Sequence, residues 1–121
     1  MELLSKIFIA LVAIEHLYIL YMEMFAGETL GKKTFKASLP ENLFAPTKGL
    51  AKNQGLYNGF LAAGLIWSLI ISDEMWAKNV ALFFLGCVIV AGIYGALTAS
   101  KKIFFVQALP AIVALVALML R

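Results

Sequence analysis

Four apolar runs divide this chain, at residues 3–25, 55–72, 78–99 and 103–120, with one long polar break at 26–52 and short breaks elsewhere. Each run approaches or exceeds the roughly 20 residues that a helix needs to cross about 30 Å of hydrocarbon. The pattern predicts an all-α polytopic membrane protein. It would form a single domain over 1–121, with four transmembrane helices in an antiparallel bundle and a loop at 26–52. Composition supports a bilayer: 63% of residues are hydrophobic and mean hydropathy is +0.93. Charged residues are only 14%, against about 25% in a soluble domain. Lys6 ahead of an apolar run resembles the start of a secretion signal. However, Glu15, His16 and Glu23 interrupt that run and no small-x-small site follows, so a retained helix is expected. Cys87 is the single cysteine, which excludes an intramolecular disulfide and reads as a small apolar residue.

The net charge of +3 gains meaning once the lysines are placed against the helices. The first connection carries Lys32, Lys33, Lys36, Lys48 and Lys52, and the third adds Lys101 and Lys102; the other side holds Lys6, Lys78 and Arg121. By the positive-inside rule, this places the long loop in the cytoplasm and both termini outside. The lysines form no nucleic-acid-binding pattern and are matched instead to anionic lipid headgroups. A loop this long is expected to be functional. With Phe35, Leu39, Leu43 and Phe44 among its lysines, and Pro40 and Pro46 limiting any helix, it should lie on the membrane surface or fold over the bundle as a lid.

Ionisable residues inside a membrane-length helix are costly and so mark function. Glu15, His16 and Glu23 fall on one arc of about 100° on the first helix, so one face should point inward. The second helix opens with Lys52-Asn53-Gln54-Gly55-Leu56-Tyr57-Asn58-Gly59. Asn53, Gln54, Tyr57 and Asn58 are assigned to one side, extended by Gly64 and Ser68. Gly55, Gly59, Ala62 and Ala63 are assigned to the other, as a close-packing stripe. The third helix repeats such a stripe at Gly92, Gly95, Ala96 and Ala99, with Tyr94 and Thr98 turned away. In the fourth, Gln107 is the only polar side chain before Arg121, and Pro110 predicts a kink. Except for Ser68, the outer half is nearly pure hydrocarbon, so the polar groups should line a pocket open to the cytoplasm and closed outside. A carboxylate beside an imidazole makes Glu15 and His16 the candidate proton-transfer (catalytic) pair. Glu23, Asn53, Gln54, Tyr57 and Asn58 are the candidate ligand contacts. One histidine without a tight carboxylate cluster predicts no metal. No nucleophile elbow, phosphate loop or CxxC pair is present, and no cofactor is expected.

The strings Glu15-His16-Leu17-Tyr18 through Glu23-Met24-Phe25 and Asn53 to Gly59 resemble a family of small bacterial membrane proteins known as domain of unknown function 1304. The resemblance spans the whole chain and implies bacterial origin and four helices. In layout alone the chain is also similar to the membrane-associated eicosanoid and glutathione metabolism proteins, which are four-helix trimers with a long cytoplasmic first loop. It lacks their Arg-x-x-x-Asn-x-x-Glu pattern, since Arg121 is the only arginine. That likeness therefore implies a homo-oligomer such as a trimer, without glutathione chemistry. The expected function is a multi-pass protein of the bacterial inner membrane whose polar pocket binds, and in one version transforms, a small or lipid-like molecule. Two alternatives remain open: a proton-coupled exporter of the small multidrug type, in which Glu15 would carry the proton, and a non-catalytic accessory subunit that packs through its glycine faces.

Overall fold

The computed structural model describes residues 1–35 and 39–120. The fold is all-α, with no strand among the described residues. Lys36 and Arg121, both used in the charge argument above, lie outside the described residues. Helix α1 (Leu3–Phe25) is followed by a π-helical turn (Gly27–Gly31), the short α2 (Lys32–Phe35) and a 3-10 turn (Glu41–Leu43). Then come α3 (Lys48–Ile70), α4 (Glu74–Thr98), a second π-helical turn (Phe104–Ala108) and α5 (Leu109–Met119).

Helices α1 and α4 are long and apolar enough to cross a membrane; the apolar stretch Phe104–Met119 is shorter. The difference from four equal runs has a physical origin. Helix α3 begins at Lys48, well ahead of the apolar run at 55–72, because Lys, Ala and Gln are good helix formers and carry the helix past the end of its hydrophobic segment. Its first two turns are therefore polar. The long connection shortens correspondingly and is itself mostly ordered into turns. Helix α4 also starts ahead of its run, where the Asp73 carboxylate accepts a hydrogen bond from the Trp76 amide at 2.9 Å and caps the helix.

Helix α1 packs on α3 and α5, and α4 packs on the same two. Buried positions on α1 (Ser5, Ile9, Val12, Ala13, His16) recur at three- and four-residue spacing, the signature of one inward stripe. Of these, Ile9, Val12 and Ala13 meet Leu65 of α3, Ala81, Leu85 and Val88 of α4, and Ala111, Ala114 and Leu118 of α5 in a single core. The core-facing alanines bring the backbones close. Helices α1 and α3 run antiparallel where they touch, because Gly55 meets Glu23 and Met24 while Gly59 meets Leu20. A Cβ on Gly55 would lie 2.8 Å from Met24 Cγ, so this small-residue stripe sets the approach of the two helices. The outward surface is strongly apolar: Leu3, Ile70 and Leu97 are 73%, 75% and 80% exposed.

Pro110 acts differently from the expected kink. It has no N–H to donate to Val106, and the turn before it widens, so that the Leu109 amide reaches back five residues to the Phe104 carbonyl. Gly92 of α4 faces this widened turn, where a Cβ would lie 2.6 Å from the Ala108 nitrogen.

Candidate functional site

Helix α1 carries two polar centres about two turns apart. His16 is completely buried. Its Nδ1 lies 2.8 Å from the Val12 carbonyl oxygen, which can only accept, so Nδ1 carries the proton. The unprotonated Nε2 then accepts from the Gln107 amide at 3.1 Å. Both ring nitrogens are thus engaged, one within α1 and one by the widened turn ahead of α5. Glu15 Oε1 comes within 3.9 Å of His16 Nδ1. That oxygen is buried without a hydrogen-bond partner among the described residues, on a side chain that is otherwise a quarter exposed. The pair is adjacent in space but not hydrogen-bonded, as expected for consecutive residues on a helix.

The second centre is Glu23, whose Oε1 accepts from Asn58 Nδ2 at 2.7 Å. This bond ties the last turns of α1 to α3. It places Asn58, 7% exposed, inside the same arc as Gly55, Gly59 and Ala62. The structure therefore moves Asn58 from the side assigned to it above onto the packing face. It also turns Gly64 and Ser68 inward, with Gly64 against the Phe84 ring. Asn53, Gln54 and Tyr57 are exposed and do not join Glu23 and Asn58. Tyr57 instead packs beside Phe60 on the outer surface.

Glu23 also lines a cleft of about 550 Å³. Its walls come from the end of α1 (Met22, Met24, Phe25), the Gly27–Gly31 turn, and the start of α3 (Lys48, Ala51, Lys52). Leu39 and Phe44 of the connecting segment close one side. Phe44 is tucked in at 9% exposure and held by turns on both sides, including the Thr47 hydroxyl donating to the Leu43 carbonyl at 2.6 Å. Lys48 pairs with Glu28 across the cleft mouth at 3.8 Å, and Lys32 with Glu41 at the same distance. The connection thus folds over the ends of α1 and α3. Neither Glu15 nor His16 lines the cleft. Among the described residues, no three His, Cys, Asp or Glu side chains come together as metal ligands.

Sequence reasoning did not assign Gln107 to the site, although its position as the only polar side chain of an apolar helix was a usable signal. Lys48, Lys52, Glu28 and Phe44 were also missed as cleft residues, because their meeting depends on how the connection folds back.

The chain belongs to the family described as "Protein of unknown function (DUF1304)", whose model matches residues 10–119. It is 35% identical over 124 residues to the uncharacterized protein YpaA of Lactococcus lactis subsp. lactis strain IL1403, with 96% of this chain and 97% of that protein covered. No solved structure matches it.

Proposed function

We propose that this protein is a four-span protein of the bacterial inner membrane that binds a small or lipid-like molecule in the cleft between the ends of α1 and α3. The observation that carries this reading is the cleft itself. At about 550 Å³ it lies within the roughly 300–1,000 Å³ of small-molecule sites, and it joins an apolar floor to a few fixed polar groups. Met22, Met24, Phe25, Leu39 and Phe44 supply the apolar surface, and Glu23, oriented by Asn58, supplies a carboxylate on the wall. Membrane residence is supported by two helices of spanning length and by the apolar outer surface of α1, α3, α4 and the shorter α5. The excess of lysines at the cleft end, at Lys32, Lys33, Lys48 and Lys52, favours a cytoplasmic cleft and termini outside. Helix α3 then carries its polar first turns into the headgroup region and crosses with the remainder.

In this reading His16 has a positioning role. With Nδ1 bonded to Val12 and Nε2 to Gln107 it has no free nitrogen to offer a ligand, and it holds α1 to the turn before α5. The cleft is a binding site first, and any reaction would take place at Glu23.

The test is native mass spectrometry of protein purified in dodecylmaltoside, comparing wild type with Ala51→Trp, which fills the cleft from its α3 wall. The expected result is a discrete bound species in wild type that is absent from Ala51→Trp, with both proteins equally folded by circular dichroism. Wild type without a bound species, or an unchanged bound species in the Trp variant, refutes the reading.

A further inference from the structure

The charged groups of the cleft match in number and sign. Four ionisable side chains line it: the carboxylates of Glu23 and Glu28 and the ammonium groups of Lys48 and Lys52. Glu28 and Lys48 pair with each other at 3.8 Å. That leaves one carboxylate, Glu23, whose Oε1 is held by the neutral Asn58 amide, and one ammonium, Lys52, which has no ion-pair partner among the described residues. Gly55 packs on Glu23, and Lys52 lies three residues before Gly55 on α3, so the backbone positions that carry the two groups are offset by about one helical turn along the helix, roughly 5 Å. The hydroxyls of Thr29 and Thr47, also on the walls, donate to backbone carbonyls, which leaves their oxygens able to accept.

An anionic ligand would leave the half-buried Glu23 uncompensated, which is unfavourable, and a purely cationic one would leave the exposed Lys52 unused. A zwitterion with its two charges a short spacer apart satisfies both.

We infer that the cleft recognises an ammonium–phosphate zwitterion carried on an acyl lipid, of the phosphatidylethanolamine type. This rests on the cleft being a binding site, as proposed above. The primary ammonium donates to Glu23 and to a threonine oxygen, and the phosphate meets Lys52. The acyl chains lie along Met22, Met24, Phe25, Leu39 and Phe44. A quaternary ammonium has no N–H to donate and loses the first of these contacts. An anionic glycerol headgroup loses it as well and brings a net charge.

The experiment measures lipid retention by native mass spectrometry after incubation in mixed micelles containing equal mole fractions of dioleoyl phosphatidylethanolamine, phosphatidylcholine and phosphatidylglycerol. Wild type should retain phosphatidylethanolamine about tenfold over either competitor, the scale of one charge-assisted hydrogen bond. Glu23→Gln, which keeps an acceptor for Asn58, should abolish the preference over phosphatidylcholine, and Lys52→Gln should weaken phosphatidylethanolamine retention several-fold. Soluble phosphoethanolamine is added as competitor. Its failure to displace the lipid supports a membrane-borne ligand, and displacement at comparable concentration overturns the lipid part of the inference. Equal retention of all three lipids by wild type overturns the zwitterion assignment. If Ala51→Trp then abolishes that retention, the cleft reading survives; if Ala51→Trp retains lipid as wild type does, the cleft reading fails as well. The lipid series on wild type decides the matter even where a variant does not fold.

Discussion

Gly92→Ala puts the widened turn before α5 to the test. A Cβ on Gly92 would lie 2.6 Å from the Ala108 nitrogen, 2.7 Å from its Cβ and 2.9 Å from its Cα. Two of these are backbone atoms of a turn already fixed by Pro110, so no side-chain rotation relieves the overlap, and α4 and the turn must separate. Overpacking of this kind costs about 1–3 kcal/mol. Replacing glycine by alanine inside a helix returns about 0.5–1 kcal/mol of propensity, so the net loss should be roughly 0–2.5 kcal/mol. Gly86 on the same helix is the internal control, because a Cβ there meets nothing within 4 Å. Gly86→Ala should therefore gain the propensity without the clash. The two variants should differ by about 1–3 kcal/mol, or roughly 4–12 °C in midpoint at about 4 °C per kcal/mol for a chain of this size. Thermal unfolding in dodecylmaltoside, followed by far-ultraviolet circular dichroism, measures the difference. If Gly92→Ala is as stable as Gly86→Ala, the close approach of α4 to Ala108 is wrong, and with it the geometry that delivers Gln107 to His16.

Two further predictions separate residues that look alike in the sequence. Gln107→Leu strips the Nε2 of a fully buried His16 of its donor and should cost about 1–3 kcal/mol by the same melting assay, whereas the paired variant His16→Leu with Gln107→Leu should recover part of that loss; simple additivity would show that the bond contributes nothing. Asn58→Leu removes the donor to Glu23 and should destabilise by about 1–3 kcal/mol, while exposed Asn53→Ala should change stability by less than about 0.5 kcal/mol; equal effects would contradict the α1–α3 register.

The all-α class was legible in the sequence because long apolar runs leave few other ways to satisfy the backbone. The glycine pairs Gly55 with Gly59 and Gly92 with Gly95 were legible as contact faces because small residues at three- and four-residue spacing have few other uses. The start of α3 was not legible from hydropathy, which marks where a helix becomes apolar rather than where it begins. Pro110 was visible, but its consequence depended on α4: with Gly92 open beneath it, the chain absorbs the missing N–H by widening the turn at Phe104–Ala108. Asn58 was misplaced because its neighbours Tyr57 and Asn53 are polar. The burial of a helix position is fixed by which helix lies across from it, and α1 covers the arc from Gly55 to Ala62.

The division of labour along α1 follows from the same packing. A polar side chain in an apolar core must either be satisfied locally or face a space that a ligand can fill. His16 takes the first course: its intrahelical bond to Val12 fixes the tautomer, and Gln107 then completes the ring. Proton exchange at Nε2 would first require Gln107 to leave, and Gln107 is held in place by the contact of Ala108 with Gly92. Glu23 takes the second course. One oxygen is anchored by Asn58 and the side chain borders the cleft, so a cationic group can reach it without disturbing the helices. Seven residues separate the two on one helix, yet of the two only Glu23 borders the cleft, and that is why the proposed binding chemistry falls there and not at His16.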